Sequence, residues 1–276
     1  MKDVILWTGA GQIGMAIARR IGYGKKIIVS DKKIDNAKNI AKIMTEAGFD
    51  IEPIECDISS RESILNLIKI GKNFGPIKGL INAAGVSPSQ ASINTILKVD
   101  LYGTAVLLEE VGKVIEKGGV GVTISSQSGK RMKQLTKEED ELLATTPTEE
   151  LLNLELLQEA NITDTLHAYQ LAKRCNEKRV MFESVKWGER GARINSISPG
   201  IIVTPLAIDE FNGPRGAFYK NMFAKCPAGR PGTADEVGAL AEFIMGPQGS
   251  FITGSDFLMD GGSTASYYYG PLKPRD

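Results

Sequence analysis

Residues 4–14 read VILWTGAGQIG: an apolar run ending in Trp7 and Thr8, then Gly9, Gly11 and Gly14 in a G-x-G-x-x-G pattern. The apolar run predicts a buried strand, and MAIARRI from Met15 predicts a helix. A glycine turn between the two lets backbone amides converge at a helix N-terminus, the arrangement that holds a pyrophosphate. Working outward, short β-branched runs alternate with helix-like stretches along the whole chain. Strands are expected at Val4 to Trp7, Lys26 to Ser30, Asp50 to Glu55, Gly79 to Asn82, Gly121 to Ser125, Ala192 to Ile197 and Phe257 to Met259. This rhythm predicts an α/β fold, a doubly wound seven-stranded parallel sheet with helices on both faces. No linker interrupts it, so residues 1–276 read as one domain.

Bulk composition narrows the partners. Lys plus Arg equals Asp plus Glu, 33 each, with no basic stripe, which argues against nucleic acid. Cys56, Cys175 and Cys226 are scattered and form no C-x-x-C, so neither a disulfide framework nor a metal site is expected. The N-terminal apolar run is too short for a signal-peptide core, and none approaches membrane-spanning length. The expectation is a cytoplasmic protein with reduced thiols, acting on small molecules and engaging no membrane.

Three further positions carry chemistry. Asp31 lies 22 residues beyond Gly9 at the end of the second strand, where a carboxylate can accept ribose hydroxyls and repel a 2′-phosphate. NAD is therefore expected ahead of NADP, although Lys32 and Lys33 could answer a phosphate. Tyr169 and Lys173, in HAYQLAKR, sit four residues apart in a helix-favouring run, so both side chains lie on one face. Tyr269 and Lys273 repeat the spacing, but Pro271 between them cannot occupy a helix interior. Tyrosine titrates near pH 10, and a base useful near neutrality must be lowered by about 3 pH units, about 4 kcal/mol. An ammonium ~4 to 5 Å away at an effective dielectric of ~20 supplies about that much. The end of the fifth strand, TISSQSG, carries serines whose hydroxyls could hold a substrate oxygen. His167, the single histidine, falls on another face and reads as a surface residue.

With these residues in view, the chain resembles the short-chain dehydrogenase/reductase family over nearly its whole length. The matching motifs are TGAGQIG, CDI at Cys56 to Ile58, NAAG at Asn82 to Gly85, TISSQSG, YQLAK, RINSISPGIIVT from Arg193 to Thr204, GRPGTADEV and MDGG. The resemblance implies a Rossmann-type fold and an NAD(H)-dependent enzyme interconverting an alcohol and a ketone. It assigns catalysis to Ser126, Tyr169 and Lys173, with Asp100 in a supporting relay. It places the cofactor against Gly9, Gly11, Gln12, Ile13, Gly14, Asp31, Asp57, Ile58, Asn82, Ala83, Ala84, Gly85, Tyr169, Lys173, Pro199, Gly200, Ile202 and Thr204. Asp57 and Ile58 would frame the adenine; Ile202 and Thr204 would meet the nicotinamide amide. A homodimer or homotetramer is implied as well.

The chain departs from the family pattern in three places. The glycine turn is one residue short. Asp100 stands where the family has asparagine, which supports a water chain to the lysine. Tyr169 follows Ser126 by 43 residues because of an insertion at residues 130–164, similar to one in bacterial 3α-hydroxysteroid dehydrogenase/carbonyl reductase. Within it, Thr136 with Glu139 predicts one capped helix; Thr146, Pro147 and Glu149 predict a second, carrying Leu151, Leu152, Leu154, Leu156 and Leu157. So apolar a segment needs a dry surface, either the cleft mouth or a second subunit. Residues 206–223 would form a substrate lid whose aromatics suggest an apolar substrate, although the same rings could pack the loop down. Residues 264–276 read as an arm packed on a neighbour. Two other readings share these motifs: a sugar-nucleotide epimerase, for which too little chain follows Thr204, and a non-catalytic dinucleotide sensor, against which the intact Ser126, Tyr169 and Lys173 weigh.

Overall fold

Alternation along β1 (Val4–Thr8) sets the layers. Ile5 and Trp7 turn to one face, Val4 and Leu6 to the other, and all four are fully buried. The computed structural model in which this is seen describes residues 1–213 and 216–274; the side chains of Leu206, Asp209 and Glu210 also lie outside the description. Strands β2 (Lys26–Asp31) and β3 (Asp50–Glu55) extend the sheet one way from β1. In the other direction come β4 (Ile77–Asn82), β5 (Val120–Ile124), β6 (Arg193–Pro199) and, beyond them, β9 (Asp256–Met259). The order is β3-β2-β1-β4-β5-β6-β9, every pair parallel. All seven expected strands are present, their ends displaced by two residues at most.

Helices α1 (Gln12–Ile21), α2 (Ile34–Glu46) and α10 (Ala234–Met245) cover the Ile5 and Trp7 face; α3 (Arg61–Phe74), α5 (Thr104–Gly112) and α7 (Thr165–Glu189) cover the Leu6 face. Winding reverses between β1 and β4, so the turns leaving these strands meet at the sheet's C-terminal edge, where open α/β sheets bind ligands. The Ala83 amide accordingly donates to the Thr8 carbonyl at 2.9 Å. Among the described residues, no helix is long and apolar enough to cross a membrane.

Two elements have no counterpart in the sequence reading. A two-stranded parallel ribbon pairs β7 (Ile202–Val203) with β8 (Gly232–Thr233); two residues are too few to show a period. After the short helix α4 (Ile93–Ile96), Leu97–Gly103 forms a π-helical stretch before α5, a geometry often found at functional sites. Asp100 lies in its centre.

The insertion is half as expected. Helix α6 (Lys137–Thr145) starts at Thr136 with a complete capping box: Thr136 accepts the Glu139 amide and Glu139 accepts the Thr136 amide. The second helix is replaced by three 3-10 turns, Thr148–Asn153, Glu155–Leu157 and Glu159–Asn161, and Thr146 caps none of them. Leu154, with an extended ψ of 136°, separates the first two turns; Leu151 and Leu157 are buried, and Leu152, Leu154 and Leu156 pack against their cluster. The Gln158 side chain donates to the carbonyls of Leu152 and Leu154, and that of Asn161 donates to the Glu155 carbonyl. These bonds satisfy acceptors that an α-helix would pair.

The dry surface is the chain's own. Leu143, Leu151, Leu157 and Ile162 form a cluster with Ile96, Leu97 and Leu101 on one side and Ala168, Leu171 and Cys175 of α7 on the other. Ion pairs seal its rim: Arg174 grips Asp140 bidentately at 2.8 and 2.6 Å, and Glu149 accepts from Arg61 at 2.6 Å and Tyr102 at 3.0 Å. The C-terminal arm behaves alike. Helix α11 (Ser263–Tyr269) docks on its own chain, Ser266 donating to the Lys225 carbonyl and Tyr268 to that of Lys130.

Candidate active site

The glycine turn shows what each glycine is for. Gly9 has φ +81°, and a Cβ there would lie 2.4 Å from the Ala84 backbone, so β1 and β4 can share this corner only without a side chain. At Gly14 a Cβ would fall 2.2 Å from Trp7 Nε1, and that indole donates to the Gly9 carbonyl at 2.8 Å, pinning the turn from beneath. Gly11 faces open space and caps α1 with no side-chain bond, which leaves the first-turn amides of Gln12 and Ile13 without a side-chain partner. Trp7 is a functional support that sequence reasoning missed; its signal was an aromatic donor at the strand end.

Beside this turn, Asp31 accepts the Ala10 amide through Oδ2 at 3.1 Å, and through Oδ1 the Lys33 amide and the Asn36 side chain. Its carboxylate is thus fixed at the end of β2, against the glycine turn. Lys32 pairs with Asp57 at 2.8 Å. Burial opposes the charge on Asp57, but Lys32 and Ser59 outweigh it and hold its pKa below the usual range. Ile58 turns into the core, 5% exposed, so Asp57 is the member of that pair whose side chain can reach an adenine. Asn82 is likewise turned inward: it accepts from Thr8 and donates to Thr104, tying β1 to α5 and leaving the cleft to the backbone of Ala83, Ala84 and Gly85.

On the opposite wall, α7 presents Tyr169 and Lys173 on one face. Lys173 Nζ lies 5.3 Å from the Tyr169 ring centre and donates to the Ile124 carbonyl at 3.4 Å. The chain on both sides of Ser126 docks on the same stretch of α7. Ser125 Oγ donates to the Lys173 carbonyl at 2.8 Å, Gly129 fits against Lys173 and Arg174, and Gln170 donates to the Arg131 carbonyl at 2.6 Å. Ser126 is buried, and its Oγ accepts the Ser128 amide at the start of a 3-10 turn, Gln127–Lys130. Lys130 anchors that turn to Glu177 and Asp256 at 2.8 and 2.7 Å, with Ser198 bridging the two carboxylates.

Asp100 completes the inner end. It is fully buried, accepts the Val86 amide through Oδ1 at 3.0 Å, and places that oxygen 3.9 Å from Lys173 Nζ. Oδ2 is buried without a hydrogen bond. Burial raises the Asp100 pKa to about 6 against the pull of Lys173. For Lys173, burial works against the charge, yet Asp100 and Tyr169 prevail and its pKa is raised. A Cβ on Gly85 would strike Asp100 Oδ1 at 2.7 Å, so this glycine is required by the pair.

At the third side, Gly200 packs on Asp260, where a Cβ would lie 2.7 Å from its Cα; Pro199 and Ile202 are buried, and Thr204 accepts the Ala207 amide at the start of α8 (Pro205–Asn212). Helices α8 and α9 (Gly216–Lys225) make up the segment expected to cover the substrate; Pro214 and Arg215 lie outside the described residues. Its aromatics pack edge to face on one another, Phe211 on Tyr219 and Phe223, and Phe218 on Tyr219, with centroids 5.3 to 5.6 Å apart. Arg131, unremarked in the sequence, sends its guanidinium between α9 and α11. Nη1 meets Met222 Sδ at 3.4 Å, the Tyr267 ring lies 5.9 Å away, and Nε is buried without a partner. A cavity of about 200 Å³ beside α9 is lined by Gly200, Ile202, Phe223, Arg230 and Asp260, and does not reach Tyr169.

A sequence profile for short chain dehydrogenase matches residues 3–137, and one described as enoyl-(acyl carrier protein) reductase matches 133–264. A short-chain dehydrogenase/reductase, bsc3, of Alternaria brassicicola is 37% identical over 96% of both chains. The chain belongs to the short-chain dehydrogenase/reductase family. Family members bind a nicotinamide dinucleotide and oxidise CH–OH or reduce carbonyl groups, and this chain is an oxidoreductase of that kind. It is also similar to 3-alpha-hydroxysteroid dehydrogenase/carbonyl reductase of Comamonas testosteroni, at 28% identity over 79% of this chain and 86% of that one. A short chain dehydrogenase from Burkholderia cenocepacia, solved in complex with NADP, shares the fold with a TM-score of 0.73 at 21% identity, covering 95% and 97% of the two chains.

Proposed function

We propose that the protein interconverts a secondary alcohol and a ketone using NAD(H). The observation that carries this reading is the Lys173 ammonium, buried and held by the Ile124 carbonyl beside Tyr169, with the Ser126 turn docked on the same stretch of α7. A bound nicotinamide dinucleotide supplies the hydride acceptor or donor. The glycine turn, the α1 amides and Asp31 would hold it; Gly9 and Gly14 let the turn pack on Ala84 and Trp7, and Gly11 leaves open space at the α1 N-terminus. In oxidation, Tyr169 takes the substrate's hydroxyl proton, its phenolate favoured by Lys173, while Ser126 donates a hydrogen bond to the substrate oxygen. In reduction, Tyr169 returns the proton.

NAD is preferred because the Asp31 carboxylate, fixed beside the glycine turn, would repel a 2′-phosphate, and Lys32, which could receive that phosphate, is engaged by Asp57. For the substrate, the lid aromatics favour an apolar body less than their number suggests, since they face one another. Arg131 favours a second reading, a ketone bearing an acceptor such as a carboxylate.

The test is a screen of alcohols and ketones, with and without a carboxylate, followed by dinucleotide absorbance with NAD(H) and NADP(H). Turnover lost in Tyr169→Phe by at least about 10³-fold, with dinucleotide binding retained, is the expected result. Activity of that variant within a few-fold of the parent overturns the assignment, and higher kcat/KM with NADP overturns the cofactor preference.

A further inference from the structure

We propose that Asp100 is an electrostatic positioning residue that sets the working pH of Tyr169 through Lys173. When its carboxylate is charged it draws the ammonium's field away from the phenol; when neutral it leaves the whole field on the phenol. The inference rests on the catalytic reading of Tyr169 and Lys173 and adds a control on direction.

Geometry isolates the coupling. From α7, Lys173 is the charged group facing Asp100, 3.9 Å from Oδ1. The loop after β4 offers it the neutral Val86 amide and the bare Gly85 Cα, and Oδ2 has no hydrogen bond. No other charge among the described residues acts on it appreciably. The links of 3.9 and 5.3 Å put Oδ1 within about 9 Å of the Tyr169 ring centre. At an effective dielectric of ~20, a unit charge at ~9 Å moves a titration by about one pH unit.

The sign follows. Burial raises the Asp100 pKa, so the group stays neutral up to about pH 6 and is charged above that. Below it, Asp100 no longer opposes the field of Lys173 on Tyr169, and the phenolate persists into acid. Above it, the carboxylate cancels part of that field and the phenol keeps its proton longer. Since the protonated tyrosine is the proton donor for ketone reduction, a charged Asp100 extends reduction toward alkaline pH. Asparagine at this position, the usual residue in the family, can accept the same Val86 amide but cannot carry the charge.

The experiment compares the parent with Asp100→Asn. Profiles of kcat/KM against pH in both directions should move about one pH unit lower in the variant, and the parent's rise through pH 6, broader than a one-proton curve, should narrow to one. A purely structural role would change the height of the profile and leave its midpoint. A second readout needs no substrate: the Tyr169 phenolate absorbance, taken as the difference from Tyr169→Phe, should titrate about one pH unit lower when Asn replaces Asp100. Turnover without either shift overturns the coupling and leaves the catalytic reading standing. A phenolate shift with no turnover of any alcohol or ketone supports the coupling and overturns that reading. Should Asp100→Asn not fold, the Tyr169 phenolate absorbance of the parent decides: a titration broader than a one-proton curve supports the coupling, and a single one-proton curve overturns it.

Discussion

The turn from β1 into α1 and the insertion between β5 and α7 do related jobs, each carrying the chain from a strand's C-terminal end to a helix at the site, and they do so by opposite means. In the first, backbone geometry decides: Gly9 adopts φ +81° against the Ala84 backbone, and Gly14 admits the Trp7 indole. In the second, packing decides: Leu151 and Leu157, on two short 3-10 turns, bury themselves against α7 and the chain around Ile96 to Leu101. A turn that must pass through one conformation tolerates no change at its glycines. A segment held by many apolar contacts should lose stability in proportion to what is removed and leave the chemistry alone.

Gly9→Ala tests the first half of that contrast and has the largest expected effect. A side chain at φ +81° costs roughly 1–2 kcal/mol, and its Cβ would also meet the Ala84 backbone at 2.4 Å, which has no flexible end to yield. Loss of dinucleotide binding by at least about 100-fold is expected in isothermal titration. Near-parental affinity would show that the turn can relax and that the contrast is overstated.

Leu157→Ala tests the second half. The side chain is 3% exposed within the insertion cluster, so truncation should cost about 2–4 kcal/mol in denaturant unfolding while kcat stays within about two-fold. A collapse of kcat with stability unchanged would place the segment at the cleft mouth instead. Asp31→Ser comes next. It removes the carboxylate that accepts the Ala10 amide and should raise kcat/KM with NADP relative to NAD by about 10–100-fold, because the like charge is gone and Lys33 could then receive a phosphate, while Lys32 stays paired with Asp57. No change in the ratio would mean that another group discriminates.

The same contrast explains what could be read from the sequence. The sheet, the glycine turn, Asp31 and the Tyr169 and Lys173 pair were legible because each depends on local spacing or on a residue type that one conformation demands. Asp100 was legible as a residue but not as a buried partner of Lys173, since the π-helical stretch that aims it is set by tertiary packing. Arg131 and Trp7 carry no motif; their roles come from what lies across the fold. The second insertion helix was misread because Thr146, Pro147 and Glu149 satisfy a capping pattern while the leucines beyond them pack from short 3-10 turns. A start signal cannot outweigh the packing that follows it.

The smallest effect sharpens the contrast most, because it falls inside the insertion yet obeys local rules. Thr136 and Glu139 form a complete capping box on α6, legible from four residues and borne out at 2.7 and 3.1 Å. Both groups are exposed, and the bonds satisfy amides that water could also reach. Thr136→Ala should therefore cost about 1 kcal/mol, a fall in Tm of about 2–4 °C for a chain of this size. Glu139→Gln keeps the reciprocal bond and should cost less than half as much. If Thr136→Ala destabilised as much as Leu157→Ala, the cap would be holding the insertion on α7 rather than merely starting α6. Local geometry and packing would then be coupled in this segment, and Arg174, which grips Asp140 in the first turn of α6, would be the residue joining them.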